Sequence, residues 1–294
     1  MSQLLHDLSW VLPLRNELLT PIMQGFTWLG YDRFILLFLP LGYWAWNKPL
    51  FLRLFILVAV TALLNAFLKD LWQDPRPDIG LRMDHEVGES FGAPSGHAQI
   101  AVVLWLWLAC ESRRLWSWLG CSLIVLGIIF SRLYLGAHDL EDVLLGAALG
   151  GVTLLLFALV RHRAWWREAN LAWHLLLVVG VAVAAQLGWP GTAPHYVPLL
   201  AGMLVGVLSG YRLEVRTLDF QVPARVWRRA LVALLGCAAF LLFQALLKRL
   251  ETALGLEPLL WQSLRGVLMG WFIALLMPWL LVRGRLLLAG RAPA

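Results

Sequence analysis

The residues best suited to chemistry are cations, histidines and a serine that lie at the ends of hydrophobic segments. They form three groups: Lys69 with Arg76-Pro77, then Pro94-Ser95-Gly96-His97, then Ser131-Arg132 with His138 and Asp142. A phosphate ester carries about two negative charges, and proteins bind it with fixed cations and aligned N–H donors. Taken together, the three groups therefore predict a site for phosphate ester chemistry.

Phosphate binding is assigned to the cations and to one predicted helix start. Lys69, Arg76 and Arg132 supply positive charge, and the planar guanidinium fork suits phosphate oxygens. Ser95 and Gly96 open the next hydrophobic segment, so their backbone N–H groups would point at the anion from a helix N-terminus. Glycine allows close approach, and the serine hydroxyl adds a donor.

Two histidines and one aspartate are the predicted catalytic residues. His138 and Asp142 are four residues apart and share a helical face, so Asp142 can hold one ring nitrogen while the other attacks phosphorus. His97 is expected to protonate the leaving oxygen, and water then hydrolyses the phosphohistidine. The three cations supply the positive charge, so we expect neither a metal ion nor another cofactor.

Each group alone is ordinary, and only their joint occurrence in order is specific. A cation at a span end is usually a solvated anchor, and Pro-Ser-Gly is a common turn. Asp139 and Glu141 are expected to be solvated loop or helix-start charges, although either could shape substrate choice. The acidic loop 70–89 is expected to be a solvated rim rather than a cation site.

Composition predicts an all-α fold, a polytopic helical bundle in a membrane. Of 294 residues, 60% are hydrophobic and 14% are charged, whereas soluble domains carry about 25% charged residues. Apolar runs recur along the chain without the alternation of a membrane barrel. The net charge of +6 is scattered through short loops, so it indicates membrane topology and not nucleic-acid binding. The cysteines are expected to be inert buried thiols.

About nine transmembrane helices are predicted, preceded by an amphipathic helix. The spans cover residues 33–47, 51–69, 97–111, 115–131, 138–160, 171–188, 195–211, 228–248 and 262–282. Near the N-terminus, Leu4, Leu8, Val11 and Leu12 share one helical face, within a segment 2–26 that lacks the features of a cleavable signal peptide. Such a helix could lie on the membrane surface or pack on the bundle.

Loop charges predict the orientation of the chain. Basic residues concentrate in alternate loops, and the positive-inside rule makes those loops cytoplasmic. The N-terminus and all three groups are then extracytoplasmic. Arginine far outnumbers lysine, which is typical of GC-rich bacterial genomes. We therefore expect an inner-membrane protein whose site faces the periplasm or the cell exterior. Residues 1–165 would hold the amphipathic helix and catalytic core, and residues 166–294 four further helices and a short cytoplasmic tail.

The three groups resemble the signature of the type 2 phosphatidic acid phosphatase superfamily. This superfamily includes lipid phosphate and pyrophosphate phosphatases, sphingosine-phosphate phosphatases, glucose-6-phosphatase and vanadium haloperoxidases. All three signature parts are present, within roughly residues 25–160: Lys69, Arg76 and Pro77; Pro94, Ser95, Gly96 and His97; and Ser131, Arg132, His138 and Asp142. The resemblance implies that His138 is the nucleophile, His97 the acid and Asp142 the orienting residue, in a helical core without a catalytic metal.

The layout departs from many bacterial members, which have six spans and a cytoplasmic N-terminus. The extra spans resemble those of sphingosine-phosphate phosphatases, and the whole layout resembles glucose-6-phosphatase. The extra spans of this chain could shape a lipid groove, mediate homo-oligomerisation or carry out transport.

The leading functional prediction is hydrolysis of a lipid phosphate or diphosphate, with membrane lipids as further partners. The alternatives are the same chemistry on a sugar phosphate, a lipid transporter working through residues 166–285, and phosphotransfer to a second lipid. A vanadium haloperoxidase fits least, because those members are soluble.

Overall fold

The computed structural model describes residues 5–84, 86–88, 90–168, 170–255 and 257–290, without the side chain of Arg167. Within these ranges the regular structure is helical, apart from one isolated bridge between Gln221 and Leu288. The long apolar runs explain this, because a helix satisfies all its backbone hydrogen bonds internally where no water is available. The predicted all-α class is confirmed.

The predicted site residues lie in the part of the chain that forms the first six helices. These helices are α1 (Leu19–Trp28), α2 (Asp32–Ala45), α3 (Lys48–Trp72), α4 (Gly96–Ala101, a π-helical Val102–Leu106 and Trp107–Ser112), α5 (Leu115–Tyr134) and α6 (Leu140–Val160). Short 3₁₀ turns occur at Leu12–Leu14 and Ile79–Leu81.

The remaining helices follow without a long linker. They are α7 (Ala164–Arg167), α8 (Leu171–Leu187), α9 (Tyr196–Thr217), α10 (Val226–Leu254) and α11 (Pro258–Trp271, a π-helical Phe272–Leu276 and Met277–Arg283).

Six of these helices are long and apolar enough to cross a membrane: α3, α5, α6, α9, α10 and the whole of α11. Each of the nine predicted spans overlaps a helix, but α8 is a shorter apolar helix, and α2 has only 14 residues. The membrane class is therefore confirmed, whereas the number of nine crossings stays a prediction.

The N-terminal segment differs from the predicted amphipathic helix. Gln3 and Leu4 lie outside the described residues, Leu5 and His6 are helical, and residues 7–18 form turns and one 3₁₀ turn before α1 begins. Pro13 has no backbone N–H, which disfavours a continuous helix here. Leu8 and Val11 are buried in an apolar cluster with Leu133 and Tyr134. This segment is therefore held by contacts with the protein, which corresponds to the second predicted alternative, packing on the bundle.

The chain divides into two compact units that interleave along the sequence. The first comprises Met1–Ile35, Val60–Arg163 and Trp189–Gly191, and it contains every predicted site residue. The second comprises Leu36–Ala59, Ala164–Gly188 and Thr192–Ala294. The predicted division between residues 165 and 166 stays a prediction.

In the second unit, α9 and α11 pack with their backbones in close contact. A β-carbon added at Gly206 would lie 2.3 Å from the carbonyl oxygen of Val267. Close approach through small residues is typical of membrane helix pairs. The same unit contains a buried ion pair, with Lys48 Nζ 2.6 Å from Glu214 Oε2.

Candidate active site

The start of α4 is fixed against the start of α6. The backbone N–H of Ser95 donates to the carbonyl oxygen of Asp142 over 2.9 Å. A β-carbon at Gly146 would lie 2.4 Å from the carbonyl oxygen of Ser95. Only glycine therefore allows the two helices to approach so closely. This contact brings the second and third groups of the sequence together.

His138 lies in the turn before α6, and Asp142 in the first turn of that helix. His138 Nδ1 is 2.7 Å from Asp142 Oδ2, and both side chains are buried. Because the carboxylate accepts a hydrogen bond from the proton on Nδ1, Nε2 keeps its lone pair for the site. Burial, together with the nearby charges of Arg76, Lys69 and Arg132, holds the pKa of His138 well below its usual range. The imidazole is therefore neutral at neutral pH.

Arg76 follows α3 and reaches the same nitrogen. Its Nη1 lies 3.2 Å from His138 Nε2 and donates to the carbonyl oxygen of Ala137 over 2.8 Å. Its Nε donates to the carbonyl oxygen of Ser90 over 2.5 Å. Burial, with the charge of Arg132, lowers the pKa of Arg76 to about 10. Arg76 thus remains a cation at neutral pH.

Lys69 and Arg132 supply the other two cations from the ends of two helices. Lys69, near the end of α3, donates to the carbonyl oxygens of Phe91 and Gly92, the latter over 2.7 Å. Arg132, near the end of α5, is only 1% exposed. Three positive side chains thus meet from separate elements of the first unit.

A cavity of about 390 Å³ joins these groups. Its lining includes six of the eight predicted site residues: Lys69, Arg76, Gly96, His97, Arg132 and His138. The other two lie beside it, since Asp142 binds His138 and Ser95 immediately precedes Gly96. Ser95 Oγ, His97 Nε2 and Arg132 Nε are buried without a hydrogen-bond partner. Unpartnered buried polar atoms of this kind fit a polar ligand such as phosphate.

Asp84 and Tyr31 also contribute to the site, and sequence reasoning did not select them. Asp84 is 8% exposed and pairs with Arg132, so the prediction of a solvated rim is wrong at this position. Tyr31 lies in the turn between α1 and α2, and its ring contacts His97. Neither residue belongs to the three groups, and both act across long sequence separations. The sequence therefore contained no local signal for them.

Asp139 is a further correction. It was expected to be a solvated charge, but it is 3% exposed, and its side chain caps α6 by accepting from the backbone N–H of Asp142 over 3.0 Å. An acidic N-cap stabilises the helix start that carries Asp142. Among the cysteines, Cys121 is buried as expected, whereas Cys110 is exposed.

In the described part of the chain, no group of three or more His, Cys, Asp or Glu side chains could hold a metal ion. The cations and unpartnered donors of the cavity match a phosphate group directly. Independence of metals and cofactors stays a prediction.

The fold and site together define an all-helical membrane protein with a buried cationic cavity containing two histidines. The chain belongs to the PAP2 superfamily, whose profile matches residues 50–166. A second profile, the transmembrane extension of PAP2 superfamily phosphatases, matches residues 199–291. The resemblance inferred from the three groups is confirmed.

Individual relatives are named phosphatases, which agrees with the predicted enzyme class, a phosphoric ester hydrolase. Phosphatidylglycerophosphatase B of Bacillus subtilis is 33% identical over 163 residues, covering 50% of this chain and 76% of the relative. Dihydrosphingosine 1-phosphate phosphatase of Saccharomyces cerevisiae is 27% identical over 172 residues, covering 51% of this chain. The chain spans only 43% of that relative's length.

One solved structure also matches. It is a transmembrane PAP2-type phosphatidylglycerolphosphate phosphatase from Bacillus subtilis, 25% identical, covering 51% of this chain and 80% of that one, with a TM-score of 0.44.

Proposed function

We propose that this chain is a membrane phosphatase that hydrolyses a lipid phosphate or diphosphate through a phosphohistidine on His138. One observation carries the proposal: Asp142 holds Nδ1 of His138, while Nε2 lies beside Arg76 in a cavity with two further cations. This is the arrangement of a nucleophile, an orienting carboxylate and an anion site.

The reaction proceeds in two steps. Nε2 of His138 attacks phosphorus, the bond to the leaving oxygen breaks, and that oxygen takes a proton from His97, which enters the step as the protonated imidazolium and leaves it neutral. A water molecule then gives a proton to His97 and attacks the phosphohistidine, so that the P–N bond breaks and phosphate leaves. Lys69, Arg76 and Arg132 stabilise the additional negative charge of each transition state. The Ser95 hydroxyl and the backbone N–H of Gly96 add donors from the start of α4. The backbone N–H of Ser95, which was also expected to face the anion, donates instead to the carbonyl oxygen of Asp142.

A lipid is the substrate class that the relatives and the membrane setting favour. The relatives' names refer to a phosphorylated sphingoid base and to phosphatidylglycerophosphate. Each methylene kept out of water is worth about 0.8 kcal/mol, so an acyl or isoprenyl chain dominates recognition. Exposed aromatic residues such as Trp72, at the end of α3, suit the interface where the head group would lie.

The site faces the periplasm or cell exterior of a bacterial inner membrane in this proposal. The distribution of loop charges supports that orientation. Residues 1–165 form the phosphatase part. Residues 166–294 form the further helices and provide a surface for lipid or for self-association.

The test is phosphate release in detergent containing EDTA, with a long-chain lipid phosphate and glucose 6-phosphate as parallel substrates. We expect kcat/KM for the lipid to exceed that for the sugar by at least ~100-fold, or about 2.7 kcal/mol. His138→Ala should lower turnover of the lipid at least ~10³-fold while the protein stays monodisperse.

Three outcomes would contradict the proposal. A preference for the sugar would favour the glucose-6-phosphatase-like alternative. Loss of activity in EDTA, with recovery in Mg²⁺, would exclude the metal-free mechanism. A His138→Ala variant that keeps a tenth of the activity would exclude this nucleophile.

A further inference from the structure

Asp84 lies outside the three groups but pairs with a cation of the site. It lies in the long loop between α3 and α4, and its Oδ2 accepts from Arg132 Nη1 over 2.7 Å. Its Oδ1 accepts from the hydroxyl of Tyr31 over 2.5 Å. Both carboxylate oxygens are thus used, one by a cation of the cavity and one by a tyrosine.

This pairing leaves part of the Arg132 guanidinium available to a ligand. Arg132 Nη1 also donates to the hydroxyl of Thr27, so Asp84 and Thr27 hold the same nitrogen. Arg132 Nε is buried without a partner, and the residue lines the cavity. A guanidinium fixed through one nitrogen has less freedom to lose when it binds a phosphate through the others.

The same turn also contacts the proposed acid. The rings of Tyr31 and His97 meet edge to face, with centroids 5.0 Å apart. A β-carbon at the preceding Gly30 would lie 2.4 Å from Cδ2 of His97. The turn between α1 and α2 therefore restricts where the His97 ring can lie.

Asp84 is ionised in this environment. Burial alone would raise the pKa of Asp84, but the hydrogen bond from Tyr31 and the charge of Arg132 outweigh it, so the pKa lies below its usual range. A charged hydrogen bond to Arg132 is stronger than a neutral one, which makes the carboxylate an effective anchor.

We propose that Tyr31 and Asp84 are a positioning pair, which holds Arg132 and His97 in the geometry that phosphate transfer requires. The inference rests on the proposed function, because it assigns a role within that site. It adds two residues to those of the signature groups. Asp84 acts through Arg132, and Tyr31 acts through both Asp84 and His97.

The test is a double-mutant cycle on kcat/KM for the lipid phosphate, with vanadate inhibition as a second readout. Asp84→Ala should lower kcat/KM at least ~30-fold in the native background but less than ~3-fold in Arg132→Ala, because coupled residues are not additive. The vanadate inhibition constant should rise in parallel only where Arg132 is present. Equal losses in both backgrounds would overturn the proposal.

Tyr31→Phe provides a milder perturbation that removes only a hydroxyl. We expect it to lower kcat/KM about 3- to 10-fold, again only when Arg132 is present. If Asp84→Ala is not monodisperse, the double-mutant cycle of Tyr31→Phe with Arg132→Ala tests the proposal in its place. An effect of Tyr31→Phe below twofold, or one independent of Arg132, would contradict the pair.

Matched controls separate these effects from general destabilisation. Tyr134→Phe removes another tyrosine hydroxyl of this unit, which bonds the backbone N–H of Asn16 and the hydroxyl of Thr20. Asp78→Asn changes an exposed carboxylate of the same loop. Both should keep native kcat/KM. The proposed function is tested separately, by activity of the native protein and its loss in His138→Ala. If that test succeeds while the Tyr31 and Asp84 variants behave like the controls, only the positioning role is contradicted.

Discussion

The proton on His138 is the smallest feature on which the proposed chemistry depends. Asp142 lies 2.7 Å from Nδ1, which places the proton on that nitrogen and leaves Nε2 unprotonated. Burial and three surrounding cations lower the pKa of His138 well below its usual range. A lowered pKa means that the neutral, nucleophilic form persists as the pH falls.

This shift predicts the acid side of the pH profile. The nucleophile should lose activity only when the pH falls through its lowered pKa, so the bend in log kcat/KM assigned to His138 should lie below pH 6.5. The substrate phosphate also titrates, and its pKa is measured separately by ³¹P NMR and used to correct the profile. A corrected profile that still bends at pH 6.5 or above would contradict the assignment.

Residues within the three groups could be selected from the sequence because their types match phosphate chemistry at recognisable spacings. Asp84 and Tyr31 could not, since their importance depends on contacts with Arg132 and His97 that span the fold. An acidic residue in a polar loop looks solvated until a buried cation is found next to it. The burial of Asp139 was not predicted for a related reason, because it depends on contacts across the fold such as the one with His6, 133 residues earlier.

Among the elements, the close packing of α6 on the start of α4 aligns the two histidines. Gly146 touches the carbonyl oxygen of Ser95, and the backbone N–H of Ser95 reaches the first turn of α6. Any side chain at residue 146 must push against backbone rather than against a flexible side chain. The distance between His97 and His138 is therefore sensitive to this position.

Gly146→Ala should separate the two helices. We expect kcat/KM to fall at least ~10-fold, and the overpacked contact to cost about 1–3 kcal/mol of stability. The matched control is Gly151→Ala in the same helix, where an added β-carbon meets open space. That variant should keep its activity and gain up to ~1 kcal/mol of helix stability. Equal behaviour of the two variants, measured by phosphate release and thermal unfolding, would exclude a role for this contact.

Helices were the most predictable elements, because long apolar runs favour them wherever water is scarce. The N-terminal segment was less predictable: its apolar residues have a helical spacing, but Pro13 and tertiary contacts produce turns instead. Side chains of residues 5–18 contact the rest of the first unit. Arg15, for example, donates to the carbonyl oxygen of Tyr134 over 2.9 Å. Such contacts have no signature in local sequence.

For the whole molecule, orientation decides which compartment supplies the substrate. The loop charges predict that the site faces away from the cytoplasm. Two compact units interleave along the chain, and the proposed catalytic residues lie in the first. Loop charge could be read from the sequence, whereas the interleaving could not, because it depends on which helices pack together.

Cysteine labelling tests the orientation directly. In a background without Cys110, Cys121 and Cys237, single cysteines replace Gly88, Thr192 or Ser112. We expect an impermeant thiol reagent to label the first two in intact cells or spheroplasts and to leave the third unlabelled. Permeabilised cells, where all three should react, provide the control. The reverse pattern would place the site on the cytoplasmic side.

The central claim is that the substrate's phosphoryl group passes through a covalent bond to Nε2 of His138. Its most direct test is to quench the enzyme during turnover of a ³²P-labelled lipid phosphate and to isolate the protein. We predict label on the native chain that is stable to alkali and released by acid, as a P–N bond requires, and none on a folded His138→Ala variant. Label on both proteins, or none on the native enzyme during active turnover, would contradict the mechanism.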